Sequence, residues 1–270
     1  MTPRRIVCLT AETTEVLYLL GEQDRIVGIS GYTTRPARAR REKPKVATFI
    51  SARIDKILAL DPDLVLGFSN LQADIAAALI RAGVEVHVFN QRSVPQILRM
   101  ISTLGKLVDA QARADSLVAR LLDTIGRVKQ TASYLPRRPR VYFEEWNDPL
   151  ISGIRWVSEL IEIAGGEDCF AELSHHSSAK DRILPDPSLV IARAPDIIIS
   201  SWCGKKFQPE QLIARPGWSC IPAVTDGMVF EIKSADILQP GPSAITHGLT
   251  QLQNVMQQWG ARETCRKHWD

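Results

Sequence analysis

Residues 57–66 (ILALDPDLVL) and 190–199 (VIARAPDIII) carry one pattern twice: an apolar helical turn, Ala, two residues, Pro, Asp, then a run of Leu or β-branched residues. The Pro cannot continue the helix and biases the residue before it away from helical geometry. The uninterrupted apolar run after the Asp reads as a strand buried on both faces. Helix, turn and buried strand make half of a βαβ unit. The correspondence extends upstream, where residues 5–10 (RIVCLT) resemble 140–144 (RVYFE) and residues 17–21 (LYLLG) resemble 160–165 (LIEIAG), each a strand followed by a helix closed by Gly. The expected fold class is therefore α/β, with two similar lobes, each a mostly parallel sheet flanked by helices.

Strands alternate with helices up to about residue 90, with strands expected near 5–10, 26–29, 46–47, 63–67 and 85–89 and helices near 13–20, 53–59 and 72–82. The pattern then changes to helix alone. Leu98, Ile101, Leu104, Leu107 and Val108 form one apolar stripe, and Leu117, Leu121, Leu122, Ile125 and Val128 a second, with a break near Gly105 and Asp109. The second stripe belongs to a helix of about 20 residues, about 30 Å long, which is enough to join two lobes. After LPRRP at 135–139 the strand pattern returns. We thus expect an N-terminal α/β lobe at 1–93, a helical connector with an interlobe helix at 94–136, and a C-terminal α/β lobe at 137–270. Within the last, helices are expected near 155–164, 187–193 and 209–213, strands near 196–200 and 228–232, and a closing helix at 243–259.

Composition removes several classes. A net charge of +3 with dispersed basic residues, no basic helix and no interleaved aromatics argues against nucleic-acid binding. No segment approaches the about 20 apolar residues of a membrane span. The apolar run that opens the chain ends at Thr10, so no secretory signal is legible, which points to a cytoplasmic protein, or a periplasmic one if the chain has been cut from a longer precursor. Five cysteines without a Cys-x-x-Cys spacing suggest neither a disulfide framework nor a zinc ribbon. The chain reads as a monomer.

In open α/β sheets ligands sit beyond the carboxyl ends of the strands. The residues falling there are Thr10, Glu12, Thr13 and Thr14 after the first strand, Tyr32 after the second, and Phe49 and Phe68 after the next two. In the second lobe they are Glu144, Trp146, Trp202, Cys203 and Gln239. Small polar residues opening a helix offer backbone N–H groups, and five rings at equivalent strand ends suit a large planar or amphipathic ligand in a cleft between the lobes, although each ring alone is more readily explained by packing under its own loop.

The runs at 5–21 (RIVCLTAETTEVLYLLG), 30–32, 54–66, 152–170 ending in GGEDCF, and 215–229 (RPGWSCIPAVTDGMV) resemble, in order and over nearly the whole chain, the helical-backbone substrate-binding proteins of ABC importers. Within that family the chain is most similar to the vitamin B12-binding branch, with siderophore and haem binders more distant. The resemblance implies two α/β lobes joined by a long helix and non-catalytic capture of a metal chelate, cobalamin or a related corrinoid, with a ferric siderophore or haem as the alternative. It places Tyr32, Phe49, Phe68 and Trp202 on or beside the aromatic pocket positions. It also implies an ABC permease as partner, met by an acidic residue on each lobe. The nearest counterparts are Asp74 and Glu210, the latter close to Lys205 and Lys206, and the acidic, aromatic loop at 144–148 departs from the pattern.

Two other readings stay open. A bare transition-metal receptor would need three or four converging ligands, with Glu144, Glu145, His175, His176 and Cys203 as the set to test. An intracellular corrinoid-handling enzyme or sensor would need a nucleophile, for which Cys203 is the one candidate. Yet there is no Gly-x-Ser-x-Gly, no phosphate loop and no His-Glu-x-x-His, and Glu144 and Glu145, adjacent on a strand, point to opposite faces. We therefore expect no enzyme, no catalytic residue, no catalytic cofactor and no resident metal.

Overall fold

The structure, a computed structural model, describes residues 2–266. It divides into two compact units, residues 1–121 with 240–242, and residues 122–239 with 243–270. The first unit holds β1 (Ile6–Cys8), α1 (Ala11–Leu19), β2 (Ile26–Ser30), α2 (Ala39–Glu42), β3 (Lys45–Ala47), α3 (Ile54–Leu58), β4 (Leu64–Phe68), α4 (Ala73–Arg81), β5 (Val86–Phe89), α5 (Val94–Leu107) and the start of α6 (Gln111–Ala132). Its sheet is entirely parallel, in the order β3-β2-β1-β4-β5. β1 and β4 are buried along their whole length, as expected of central parallel strands. Val7, Leu9, Val46, Ile57, Val65, Ile75 and Leu79 bring three strands and two helices into one core.

The second unit holds β6 (Arg140–Asn147), β7 (Leu150–Ser152), α7 (Arg155–Ile163), β8 (Glu167–Asp168), α8 (Ala171–Ser174), α9 (Ser188–Arg193), β9 (Ile197–Ser200), α10 (Pro209–Ile213), α11 (Pro222–Thr225), β10 (Val229–Glu231), α12 (Ser234–Ile237) and α13 (Leu249–Arg266). Its sheet runs β10-β9-β6-β7, with β8 paired to the start of β6, and only β7 is antiparallel. The mostly parallel α/β architecture of each unit agrees with the expectation. The sequence reading did not include β7, β8 or the four-residue helices. The closing helix runs further than expected, beginning with a π-helical turn at Ala244–Gly248 and continuing to Arg266.

The duplicated segments do the same work in both units. α3 leads to β4 and α9 to β9, and each of these strands pairs with the first strand of its own unit. The residue before the Pro is left-handed in both, Asp61 at φ 45° and Ala194 at φ 42°. The Asp after the Pro then reaches across to open the neighbouring strand. Asp63 accepts from the backbone N–H of Arg4 at 2.7 Å and Arg5 at 3.0 Å, and Asp196 from that of Arg140 at 2.7 Å. Burial would raise the Asp196 carboxyl, but hydrogen bonds from Arg137 and the Arg140 N–H outweigh it and hold the group below the ordinary carboxylate range.

An alanine in the left-handed region carries a steric cost of about 1–2 kcal/mol that glycine does not. Ala194→Gly is therefore expected to stabilise the second unit by up to about 1 kcal/mol, net of the entropy glycine adds to the unfolded chain. The urea midpoint followed by tryptophan fluorescence checks this. All six tryptophans fall between 146 and 269, so the signal belongs to that unit. A lowered midpoint would mean that the turn is not strained at this position.

Candidate ligand-binding site

At the carboxyl end of the first unit's sheet the strand-following residues take two roles. Thr10 precedes α1 in extended geometry, and its carbonyl accepts from both the Thr13 and Thr14 hydroxyls at 3.2 Å. These threonines and Glu12 are buried, closing the first turn of α1 on itself. Tyr32 and Phe49 do the reverse: Tyr32 is 57% exposed and Phe49 38%, beside an Ile50 that is 70% exposed and a Leu71 at 51%. So much bare apolar surface on consecutive loops is costly in water unless something covers it. Phe68 is buried, its ring 6.3 Å from that of Phe49, with the Arg92 guanidinium 4.8 Å from its centroid.

One residue ties these loops together. Gln72, fully buried, accepts from the Phe68 N–H at 2.9 Å and donates to the carbonyls of Phe49 at 2.9 Å and Leu9 at 3.4 Å. It joins the ends of β1, β3 and β4, so the exposed rings stand on a fixed base. Sequence reasoning missed Gln72 and Arg92. A polar residue at the start of a helix reads as a surface position, and the partners of Gln72 lie as far as 63 residues away.

In the second unit the carboxyl ends of β6 and β9 meet around a buried ion pair. Glu144 is fully buried, and Arg215 donates to its Oε2 at 2.6 Å and its Oε1 at 3.0 Å. The Trp202 indole N–H donates to Oε1 at 2.8 Å and the Tyr142 hydroxyl to Oε2 at 3.1 Å. Both oxygens are thus engaged within the unit, and no face of Glu144 reaches solvent. Trp202 is buried as well, edge-on to Phe207 with centroids 5.1 Å apart. Glu145, on the opposite face of the strand, pairs with buried Arg182 at 2.6 Å. Trp146 is half-buried, its indole donating to the Asp148 carbonyl at 2.7 Å. Lys205 bridges the two indoles, 5.8 Å from the Trp146 ring and 5.2 Å from that of Trp202, and donates to the Asn147 side-chain oxygen at 3.1 Å.

Cys203 is exposed, but partial desolvation of its sulfur, with Glu145 adding to it, pushes the thiol above its ordinary value, which is the wrong direction for a nucleophile. Gln239 is half-buried just before the segment 240–242 that belongs to the first unit. Glu144 and Glu145 are each committed to an arginine, and His175 stacks on His176 with ring centroids 4.1 Å apart. Among the described residues no group of three or more His, Cys, Asp or Glu is arranged to hold a metal ion; His268 lies outside them.

Residues 6–235 match the profile of a family described as periplasmic binding protein. The chain belongs to that family. Its relatives include an uncharacterised ABC transporter substrate-binding lipoprotein of Bacillus subtilis, 25% identical over 252 residues that cover 90% of this chain and 77% of the relative. A cobalamin-binding protein of Halobacterium salinarum is 24% identical over 252 residues, covering 90% of this chain and 67% of its own. A periplasmic haem-binding protein from Roseiflexus has the same fold, with a TM-score of 0.80 at 22% identity, covering 94% of this chain and 99% of that one. Members of this family bind substrates for ABC transporters and are not enzymes. Among the described residues of this periplasmic binding protein, no helix is long and apolar enough to cross a membrane.

Proposed function

We propose that this periplasmic binding protein captures a metal chelate of corrinoid or haem type at the carboxyl ends of its sheets, leaves it chemically unchanged and hands it to an ABC permease. The exposed set Tyr32, Phe49, Ile50 and Leu71, of which the loop carrying Phe49 and Ile50 is held by Gln72, carries this reading, because a flat apolar ligand is the kind of partner that covers rings on several loops at once. The names of the relatives, cobalamin-binding and haem-binding, support the same ligand class. In the second unit Trp146, Trp202 and Gln239 are proposed to contribute, with Glu144 acting through Trp202 by fixing its indole. Thr10, Glu12, Thr13 and Thr14 are proposed to shape the floor under the first unit's rings.

The protein is proposed to act outside the cytoplasmic membrane and as a monomer. The cytoplasmic expectation has no support among the relatives, one of which is described as a lipoprotein. Asp74 and Glu210, both exposed in the first turns of α4 and α10, are the proposed permease contacts.

Titration with cyanocobalamin and with haem, followed by quenching of tryptophan fluorescence, is the test. Saturable quenching is expected with at least one of them, and Tyr32→Ala with Phe49→Ala together should weaken it by about tenfold or more, since each ring contributes about 1–2 kcal/mol when covered. Absence of saturable quenching across corrinoids, haem and ferric siderophores would overturn the reading.

A further inference from the structure

β5 is a free edge of the first unit's sheet. It pairs with β4 alone, in an unbroken parallel register from Val86 to Phe89. The Val65 N–H donates to the Glu85 carbonyl at 2.9 Å and the Ser69 N–H to that of Phe89 at 2.7 Å, so residues 85, 87 and 89 turn their backbone groups toward β4. By alternation Val86 and Val88 turn theirs outward, where they meet no backbone partner among the described residues. An open edge of this kind is a template for another chain, and proteins that leave one unused blunt it with Pro, Lys or a bulge. The opposite edge, β3, has all three, with Lys43 and Pro44 just before it, Lys45 within it and a register shift against β2. β5 has none of them.

Beside this edge lies a trough of about 420 Å³ between α4 and β5. Ala73, Ala76, Ala77 and Ile80 supply one wall, at the spacing that puts them on one helix face, and Val88 with Asn90 the other. Ile80 is 61% exposed and Val88 41%. The three alanines leave space that larger side chains would fill, and the lining carries no ring and no charged group. Asp74 stands exposed in the first turn of α4, next to Ala73, while Arg81 and Glu85 bring both signs to the far end of the helix and the start of the strand.

Resting on the handover reading above, we infer that this trough takes an extended segment of the ABC permease, which adds to the sheet as a strand along β5 and sets a Lys or Arg against Asp74. An extended strand both satisfies outward N–H and C=O groups two residues apart and drops alternate side chains into a trough beside them. A chelate does neither, having no backbone pattern to match and no ring here to stack on. Asp74, the proposed permease contact of this unit, gives the segment its charge and fixes its register. The trough shares no residue with the set Tyr32, Phe49, Ile50 and Leu71, so docking and chelate capture can be tested apart.

Photo-crosslinking from p-benzoylphenylalanine in the protein's own cells reads the docking, with the products identified by mass spectrometry. The probe replaces Ile80 or Val88 in the trough and, for comparison, exposed Gln211 beside Glu210 in the second unit. Both trough positions are expected to give adducts with the membrane subunit of an ABC permease, as is Gln211. Val88→Pro removes an outward N–H, and Ala77→Arg fills the trough. Each should lower the Ile80 adduct several-fold and slow chelate uptake, with affinity for cyanocobalamin or haem as in the parent. If the Gln211 probe reaches the permease while the trough probes reach nothing, a second copy of this chain or some other protein, the inference falls and handover stands. An Ile80 adduct indifferent to Ala77→Arg has the same consequence. If no position reaches a permease, handover itself fails and this inference with it.

Discussion

Arg215→Met is expected to destabilise the second unit by about 3–5 kcal/mol at neutral pH, as removal of one partner from a buried ion pair generally does. Arg215 supplies two of the four hydrogen bonds to Glu144, and the carboxylate is fully buried. Without the guanidinium it keeps the Trp202 indole and the Tyr142 hydroxyl, two neutral donors that do not balance a charge in a dry environment. Combining Arg215→Met with Glu144→Gln removes both charges and should recover most of the loss, because the penalty belongs to the stranded carboxylate rather than to the missing attraction. Urea unfolding followed by tryptophan fluorescence reads this unit directly. A loss below about 1 kcal/mol, the range of exposed pairs, would show that water reaches Glu144.

That pair marks where the sequence stops being informative. The α/β class, the two lobes and their central strands are legible because they rest on local signals: the Pro-Asp turn, continuous apolar runs, and Gly at helix ends. Leu64–Phe68 and Ile197–Ser200 lie within a residue or so of the expected strands for that reason. β7 and β8 are three and two residues long and exist through pairing with β6, which no local pattern announces. The strand-end aromatics are legible as positions, since topology alone puts residues after parallel strands at one end of a sheet. Their exposure is not: Tyr32 and Phe49 are exposed while Phe68 and Trp202 are covered, and the Trp202 indole is held by a bond to Glu144, 58 residues away, that no local pattern announces. Arg215 is 71 residues from Glu144, and the pairing depends on how the segment after α10 packs against β6. The carboxylate therefore reads in sequence as a ligand-facing group when its contacts are internal. The strand alternation that separates Glu144 from Glu145 is legible, and each glutamate has indeed found its own arginine.

Stability of the first unit is expected to fall as pH rises from about 4 to about 7, and Glu12 is the reason. Glu12 is 3% exposed in the first turn of α1, where the helix end ordinarily favours an anion. Burial nevertheless pushes its carboxyl up to about 7 and Glu15 adds to the effect, while hydrogen bonds from its own N–H, Thr10 and Gln91 pull the other way. The segment 240–242 closes over it: a Cβ on Gly241 would come within 2.6 Å of the Glu12 Cβ, and Gln91 donates to the Pro240 carbonyl at 3.1 Å. Because the folded value lies above the unfolded value of about 4.3, the protonated acid is the form the fold prefers. Its contribution is complete below about pH 4 and is lost as pH rises through about 7, on the order of 4 kcal/mol in all at about 1.4 kcal/mol per unit. Glu12→Gln keeps the shape and cannot ionise, so its stability should lack this decline and exceed that of the parent at pH about 8. Urea melts followed by far-UV circular dichroism read the first unit once the second unit's transition has been located by its tryptophans. An unchanged pH slope in Glu12→Gln would mean that water enters beneath the 240–242 segment and keeps the carboxylate solvated. If the decline is present in the parent and absent in the variant, chelate affinity should follow it over the same pH interval, since the residues that carry the exposed rings are ordered by the same end of the sheet that Glu12 helps to close.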